Sequence, residues 1–190
     1  MILLVRHGRT ALNAKGLLQG RLDEPLDAEG ERQAAAIGRA IGRVDALICS
    51  PLVRARSTAA HIDGPAAVID ERWIELDYGT LDGMAARDID ADVWRRWRSD
   101  IEFVPGGGES IAALYKRVQS ALEDLVTDAA TQTIAVVTHV SPIKAAVAWA
   151  LSAPPGLAWQ THLDQASITR IAIGAAGPVL HGFNDVCHLA

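Results

Sequence analysis

The sequence predicts an α/β protein, a three-layer α/β/α sandwich around a mostly parallel central sheet. Short apolar runs alternate with segments of helical period, the pattern of a sheet covered by helices on both faces. A length of 190 residues suits one compact domain. Hydrophobic residues make up 49% of the chain and charged residues 22%, which is ordinary globular composition.

The elements follow from local patterns. Short apolar runs predict six strands, at residues 2–5, 46–49, 66–69, 134–138, 168–173 and 179–183. Helical periodicity and capping signals predict five helices, at residues 28–43, 51–62, 85–99, 110–128 and 142–151. Asp27 is a candidate N-cap, and the Ser-Pro pairs at 50–51 and 141–142 offer a cap followed by an N1 proline. We expect one domain over residues 1–190, with residues 81–108 as an insertion-like segment near the site.

Charge and composition exclude several classes of partner. The net charge is −5, and no basic stripe suggests nucleic-acid binding. The apolar start ends at Arg6, which is too short for a signal segment or a membrane span, so a cytoplasmic location is expected. Cys49 and Cys187 show neither metal-ligand spacing nor a disulfide framework, and no metal or other cofactor is expected.

Polar residues follow three of the predicted strands. His7, preceded by Arg6, comes directly after the first strand, and His139 follows the strand at 134–138. Ligands of open α/β sheets bind beyond the C-terminal strand ends, so both histidines are expected at one edge. Arg54 follows the second strand near a predicted helix start, where the helix dipole and a planar guanidinium both favour phosphate oxygens. The pattern indicates a phosphate site.

Six stretches resemble the histidine phosphatase superfamily, also called the phosphoglycerate-mutase-like family, and occur in that family's order. They lie at residues 6–13, 19–26, 50–55, 75–79, 107–110 and 136–139. The resemblance implies that His7 is a nucleophile that becomes phosphorylated, that Arg6, Arg54 and His139 form the phosphate pocket, and that Glu75 donates a proton. It also implies substrate-binding roles for Asn13, Gln19, Gly20 and the backbone N–H of Val140.

The chemistry of these residue types agrees with those roles. A neutral imidazole attacks phosphorus without first losing a proton and divides one displacement into two easier ones. The transferred phosphoryl group spreads negative charge over its oxygens, so catalysis depends on positioned positive donors. Two arginines and a second, protonated histidine supply them without a metal, each worth roughly 3 kcal/mol in the transition state. A carboxyl at Glu75 protonates the leaving alcohol and then takes a proton from water.

Two positions depart from the family pattern. Arg9 stands where the family commonly has Gln or Glu, so it either makes the pocket rim basic or faces water. Val140 and Ser141 replace a common Gly-Gly pair, and the larger valine narrows the approach to its N–H. Trp94 and Trp97 lie in the insertion-like segment and are expected to serve in packing, with contact to substrate as the alternative.

Three functions follow from the sequence. Hydrolysis of a small phosphomonoester is favoured, because the segment at 80–108 has no lysine and residues 75–79 differ from the longer mutase pattern. A phosphoglycerate mutase using the same phosphohistidine is the alternative, and a non-catalytic phosphate sensor is a remote one. The substrate stays open among α-ribazole phosphate, sugar phosphates, phosphoglycerate derivatives and the range of a broad acid phosphatase. The oligomeric state stays open as well, with a homodimer as one option.

Overall fold

The computed structural model describes residues 1–190 and contains one six-stranded sheet in the order β3-β2-β4-β1-β5-β6. The strands are β1 (Ile2–Arg6), β2 (Ala46–Cys49), β3 (Val68–Ile69), β4 (Ile134–Thr138), β5 (Ile168–Gly174) and β6 (Gly177–Asp185). Strands β1 to β4 run parallel, whereas β5 and β6 are antiparallel to their neighbours. The predicted mostly parallel sheet is confirmed.

Six α-helices and several short 3₁₀ turns connect the strands. The helices are α1 (Ala11–Ala14), α2 (Ala28–Ile41), α3 (Val53–Ala59), α4 (Ala91–Ser99), α5 (Ile111–Ala129) and α6 (Val140–Ala150). The 3₁₀ turns are Glu71–Trp73, Gly79–Leu81, Ala86–Asp88, Pro105–Gly107, Pro155–Trp159 and Cys187–Leu189. None of the helices combines the length and the apolar character that crossing a membrane requires.

Strand β1 shows why the sheet has a helical layer on each side. Successive side chains of a strand point to opposite faces. Ile2 and Leu4 join one buried cluster, while Leu3 and Val5 join a second cluster on the other face. Each such aliphatic side chain contributes about 1.5–3 kcal/mol when it is fully buried. A continuous apolar run therefore requires cover on both faces, and the three-layer prediction is confirmed.

The two helical layers supply that cover. Helices α5 and α6 pack on the first face through residues such as Leu122 and Ile143. Helices α2 and α3 pack on the second face through Ile37 and Ala55. The four parallel strands lie between them, and their carboxyl ends open toward one edge of the sheet.

The predicted Ser-Pro helix starts are wrong at both places. Helix α3 begins at Val53 after Leu52, without a side-chain cap, and α6 begins at Val140 with His139 in the N-cap position. The Oγ of Ser50 lies 2.7 Å from Nε2 of His139, so a long-range contact engages the serine that the local pattern assigned to a helix cap.

The predicted helix at 85–99 is shorter in the structure. Asp90 accepts a hydrogen bond from the N–H of Asp92, which caps α4 and makes Ala91 its first residue. The residues before it form a 3₁₀ turn at Ala86–Asp88. Trp97 of α4 is buried in the core on the α5 and α6 side, so this segment is packed onto the sandwich.

Candidate active site

The two histidines predicted at one sheet edge lie together. Strands β1 and β4 pair in parallel with Arg6 opposite Thr138, so the next residue of each strand is a histidine at the same level. The ring centroids of His7 and His139 are 5.0 Å apart, with 60° between the ring planes. Both rings are buried.

Arg54 joins the two rings. Its Nε–H lies 3.2 Å from Nε2 of His7 and 3.3 Å from Nδ1 of His139. Its Nη1 and Nη2 groups donate to the carbonyl oxygens of Leu22 and Gly20, each over 2.7 Å. Burial lowers the pKa of Arg54 to about 10, which leaves the guanidinium charged at neutral pH. The positive charge is therefore held in place by backbone carbonyls of the loop that precedes α2.

The contacts of His7 define its tautomer. Nδ1 lies 2.7 Å from the carbonyl oxygen of Gly8, which can only accept a hydrogen bond, so Nδ1 carries the proton. Nε2 then has a free electron pair and accepts from Arg54. Burial, followed by the charges of Arg54 and Arg6, lowers the pKa of His7 well below its ordinary value. The ring is a neutral imidazole whose unprotonated Nε2 accepts the hydrogen bond from Arg54.

His139 takes the complementary tautomer. Nδ1 accepts from Arg54, and Nε2 donates to Ser50 Oγ over 2.7 Å. Burial and the Arg54 charge lower the pKa of His139 well below its ordinary value. Cationic neighbours therefore favour the neutral ring here, whereas the protonated second histidine expected beside a transferring phosphoryl group stays a prediction. A phosphate dianion beside it would act in the opposite direction.

A cavity of about 180 Å³ opens beside His7. Eight residues assigned from the sequence line it, namely Arg6, His7, Asn13, Gln19, Gly20, Arg54, Glu75 and Val140. Leu17, Leu18 and Tyr78 complete the wall. His139 is not part of the lining and reaches the cavity only through its contacts with Arg54 and the His7 ring.

Two lining side chains present donors that the protein does not use. Arg6 donates from Nη1 to Leu163 O over 2.6 Å, but its Nε–H is buried without a partner. Gln19 accepts from the hydroxyl of Thr10 and the amide of Asn13, while its own Nε2 is buried without an acceptor. An unsatisfied buried donor costs about 1–3 kcal/mol. Both unpaired donors belong to side chains that line the cavity.

Glu75 is held by one of its two carboxyl oxygens. Oε1 accepts from the backbone N–H groups of Leu76, over 2.8 Å, and Ser141, over 3.1 Å. Oε2 makes no hydrogen bond within the protein. The residue is 5% exposed and lines the cavity. The carboxyl is thus oriented by backbone donors and keeps one oxygen for exchange of a proton.

The Glu75 segment is held by residues for which the sequence predicted no role. Arg117 of α5 donates to the carbonyl oxygens of Arg72 (2.6 Å), Ile74 (2.8 Å) and Glu75 (3.3 Å). Its Nε pairs with Glu109 Oε1 over 2.7 Å. The motif at 107–110 signalled Glu109, but Arg117 lies in the middle of a helix and carries no local signal of this role.

Arg9 does not line the cavity. Its Nε pairs over 2.8 Å with Asp27, the residue that caps α2, and its backbone N–H donates to Gln33. The preceding Gly8 is required by this close approach, because a Cβ there would lie 2.4 Å from the carbonyl oxygen of Gly30. Of the two alternatives for Arg9, the structure favours a position toward solvent over a basic pocket rim, because the side chain is 37% exposed, lies outside the cavity and pairs with Asp27.

Curated relatives resemble this chain over most of its length. Phosphoserine phosphatase 1 of Hydrogenobacter thermophilus is 32% identical over 199 residues, covering 99% of this chain and 93% of the relative. A probable phosphoglycerate mutase of Klebsiella pneumoniae is 34% identical, covering 99% and 94%. A bifunctional protein of Mycobacterium tuberculosis is 34% identical over 88% of this chain, which spans about half, 49%, of that relative's length.

A solved structure and a family model agree with these relatives. The crystal structure of a phosphoserine phosphatase mutant from Entamoeba histolytica, in complex with phosphoserine, superposes with a TM-score of 0.92. That protein is 30% identical, and the match covers 100% of this chain and 98% of the other. The model of the histidine phosphatase superfamily, branch 1, matches residues 2–186. The chain therefore belongs to branch 1 of the histidine phosphatase superfamily.

Proposed function

We propose that this protein hydrolyses a phosphomonoester of a small metabolite through a phosphohistidine at His7. One observation carries the proposal. The unprotonated Nε2 of His7 lies within hydrogen-bond distance of the charged Arg54, in a cavity that both line together with Arg6 and a carboxyl, Glu75. Nucleophile, anion-binding groups and proton donor thus share one site.

In the first step, the electron pair of His7 Nε2 forms a bond to phosphorus while the bond between phosphorus and the ester oxygen breaks. The ester oxygen takes the electron pair and receives the proton of Glu75. The imidazole becomes cationic, and its Nδ1–H keeps the hydrogen bond to Gly8 O. In this proposal Arg6, Arg54 and Gln19 bind the phosphoryl oxygens, where each well-aimed donor is worth roughly 3 kcal/mol.

In the second step, water attacks phosphorus and gives its proton to Glu75 as the bond between Nε2 and phosphorus breaks. Inorganic phosphate leaves, and both His7 and Glu75 return to their starting states. The charges that this chemistry needs come from two guanidinium groups, so the proposal includes activity without a metal ion. A cytoplasmic location and the one-domain organisation stay predictions from the sequence.

The names of the relatives favour hydrolysis and leave one competitor. Phosphoserine phosphatases are similar to this chain over nearly its whole length, in sequence and in structure. The Klebsiella relative, a probable phosphoglycerate mutase, supports the alternative that a bound phosphoglycerate replaces water as acceptor. Both reactions share the first step, so the acceptor distinguishes them.

The test measures two products from one enzyme preparation. The protein is incubated, in the presence of a chelator, with each of four esters: phosphoserine, 3-phosphoglycerate, glucose 6-phosphate and p-nitrophenyl phosphate. We expect release of inorganic phosphate, little conversion of 3- to 2-phosphoglycerate, and an acid-labile, base-stable phosphoprotein on rapid quenching. The His7→Asn variant should form no phosphoprotein. A phosphoprotein that persists in His7→Asn, or isomerisation much faster than phosphate release, would contradict the proposal.

A further inference from the structure

A second cavity, of about 190 Å³, adjoins the candidate phosphate cavity. The two share three wall residues, Leu18, Tyr78 and Val140. Their chemistry differs, because 11 of the 13 residues that line the second cavity are hydrophobic. We call it the tryptophan cavity, after Trp94, Trp97 and Trp159, which form one of its walls.

The tryptophan wall is built by aromatic packing. The rings of Trp94 and Trp97 stack with centroids 5.2 Å apart and an angle of 18° between planes. Trp159 meets both edge-on, at 6.1 Å and 5.5 Å. Such pairs add about 0.5–1.5 kcal/mol each beyond the area they bury, so the wall is preorganised. The indole N–H of Trp97 is buried without an acceptor.

Glu75 stands at the junction of the two cavities. It lines the phosphate cavity, while the two residues whose N–H groups hold its Oε1, Leu76 and Ser141, line the tryptophan cavity. A general acid lies within hydrogen-bond distance of the ester oxygen that it protonates. The alcohol part of a bound ester therefore starts at Glu75 and has the tryptophan cavity directly beside it.

The polar groups of the tryptophan cavity are few. The Nζ of Lys144 donates to Ala158 O over 2.8 Å, and the hydroxyls of Tyr78 and Ser141 lie 3.3 Å from each other. No carboxylate lines this cavity to pair with an ammonium group of a ligand. Burial of an unpaired charge is strongly unfavourable, so a zwitterionic alcohol such as serine matches these walls poorly.

We infer that the natural substrate is the phosphate ester of an alcohol that carries an apolar group the size of one ring, and that this group binds in the tryptophan cavity. This inference rests on the proposed function. A cavity of about 150 Å³ accommodates benzene, so the volume fits a single ring and a short linker. Burying such a group raises affinity by about 10- to 100-fold over an ester that lacks it.

The first experiment measures binding, which does not depend on turnover. Isothermal titration calorimetry compares 2-phenylethylphosphonate with ethylphosphonate, which share the anionic group and differ in the ring. We expect the phenyl compound to bind about 10- to 100-fold more tightly. Equal affinities, or tighter binding of the ethyl compound, would overturn the inference.

The second experiment measures kcat/KM for 2-phenylethyl phosphate, ethyl phosphate and phosphoserine. The phenylethyl ester should be preferred, whereas a preference for phosphoserine would overturn the inference and would implicate Lys144 in carboxylate binding. Selective binding of the phenyl phosphonate without hydrolysis of any ester would support the tryptophan cavity as a ligand site and refute the proposed function instead.

Variants test whether the preference for the phenylethyl ester arises in the tryptophan cavity. Trp94→Ala removes part of the wall and Ala158→Phe fills the cavity, so each should reduce the phenylethyl-to-ethyl ratio of kcat/KM toward one. Ala67→Phe makes the same substitution at an exposed position beside β3 and should keep the wild-type ratio. An unchanged ratio in both folded cavity variants would contradict the assignment, even if the phenyl ester were preferred.

Discussion

Arg54 donates its Nε–H to Nε2 of His7 over 3.2 Å, so the nitrogen proposed to attack phosphorus is hydrogen-bonded to a cation. The electron pair cannot serve that hydrogen bond and a bond to phosphorus at once. Phosphate oxygens are stronger acceptors than a neutral imidazole because they are charged. A bound ester should therefore draw the Nε–H of Arg54 away from His7 and release its electron pair for attack.

Arg54→Lys should lower kcat about 10²- to 10³-fold. The guanidinium contacts two rings and two carbonyl oxygens at once, whereas a lysine ammonium is a single point charge on a flexible chain. Steady-state kinetics with p-nitrophenyl phosphate measures the loss. Arg56→Lys, at an exposed position of the same helix, is the matched control, and an equal loss in both variants would contradict the assignment.

Glu75→Gln should slow alkyl phosphates about 10²- to 10⁴-fold and nitrophenyl phosphate far less. The glutamine carbonyl oxygen can still accept from the N–H groups of Leu76 and Ser141, so the variant removes the proton and keeps the geometry. Comparison of kcat for the two ester classes tests this role, with Glu71→Gln at an exposed position as control. Equal slowing of both classes would remove Glu75 from the acid role.

Arg117→Met should destabilise the fold by about 1.5–3 kcal/mol, because it removes the shorter of the two ion pairs of the mostly buried Glu109 and leaves only the 3.4 Å contact with Arg21. It should also release the carbonyl oxygens of Ile74 and Glu75, so that the loss of kcat is larger for alkyl than for nitrophenyl esters. Urea unfolding and the two-ester comparison measure the two effects. Arg32→Met breaks an exposed pair with Glu29 and should cost less than about 1 kcal/mol.

The free energy of unfolding should decrease as the pH is lowered below about 6.5, the ordinary pKa of histidine. Burial lowers the pKa values of His7 and His139 in the folded protein. The unfolded chain therefore binds more protons in this range, and the stabilisation that is present above pH 6.5 is lost toward the folded pKa values. Each histidine should raise the equilibrium constant of unfolding by up to about tenfold for every unit by which the pH is lowered in this range.

Denaturant unfolding between pH 7.5 and 5 measures this slope. A double variant, His7→Asn with His139→Asn, should give a flatter profile over the same range. Burial also lowers the pKa of His188. Because His188 is present in both proteins, its contribution to the slope cancels in the comparison. Identical slopes for the double variant and the wild type would contradict the assignment of neutral, buried rings.

Local patterns in the sequence were sufficient for the sandwich, and the resemblance to a family supplied most of the candidate site. Continuous apolar runs such as 2–5 and 134–138 required burial on both faces, and parallel pairing then brought the residues after them to one edge. His7, Arg54 and Glu75 could be named because each follows a strand or belongs to a motif of fixed order. The strands needed only information that lies within a few residues of each position, whereas the roles of these side chains came from the order of six motifs along the chain.

Contacts between distant segments determined the rest. Ser50 is hydrogen-bonded to His139, 89 positions away in the sequence, and Arg117 of α5 donates to a carbonyl oxygen of the Glu75 segment. Both contacts depend on how the layers pack. The tautomers and the neutral state of the two rings depend on burial and on Arg54, which no local pattern records. The tryptophan cavity likewise exists where α4, α5, α6 and the turn Pro155–Trp159 meet, because a cavity is a property of packed surfaces and not of any one segment.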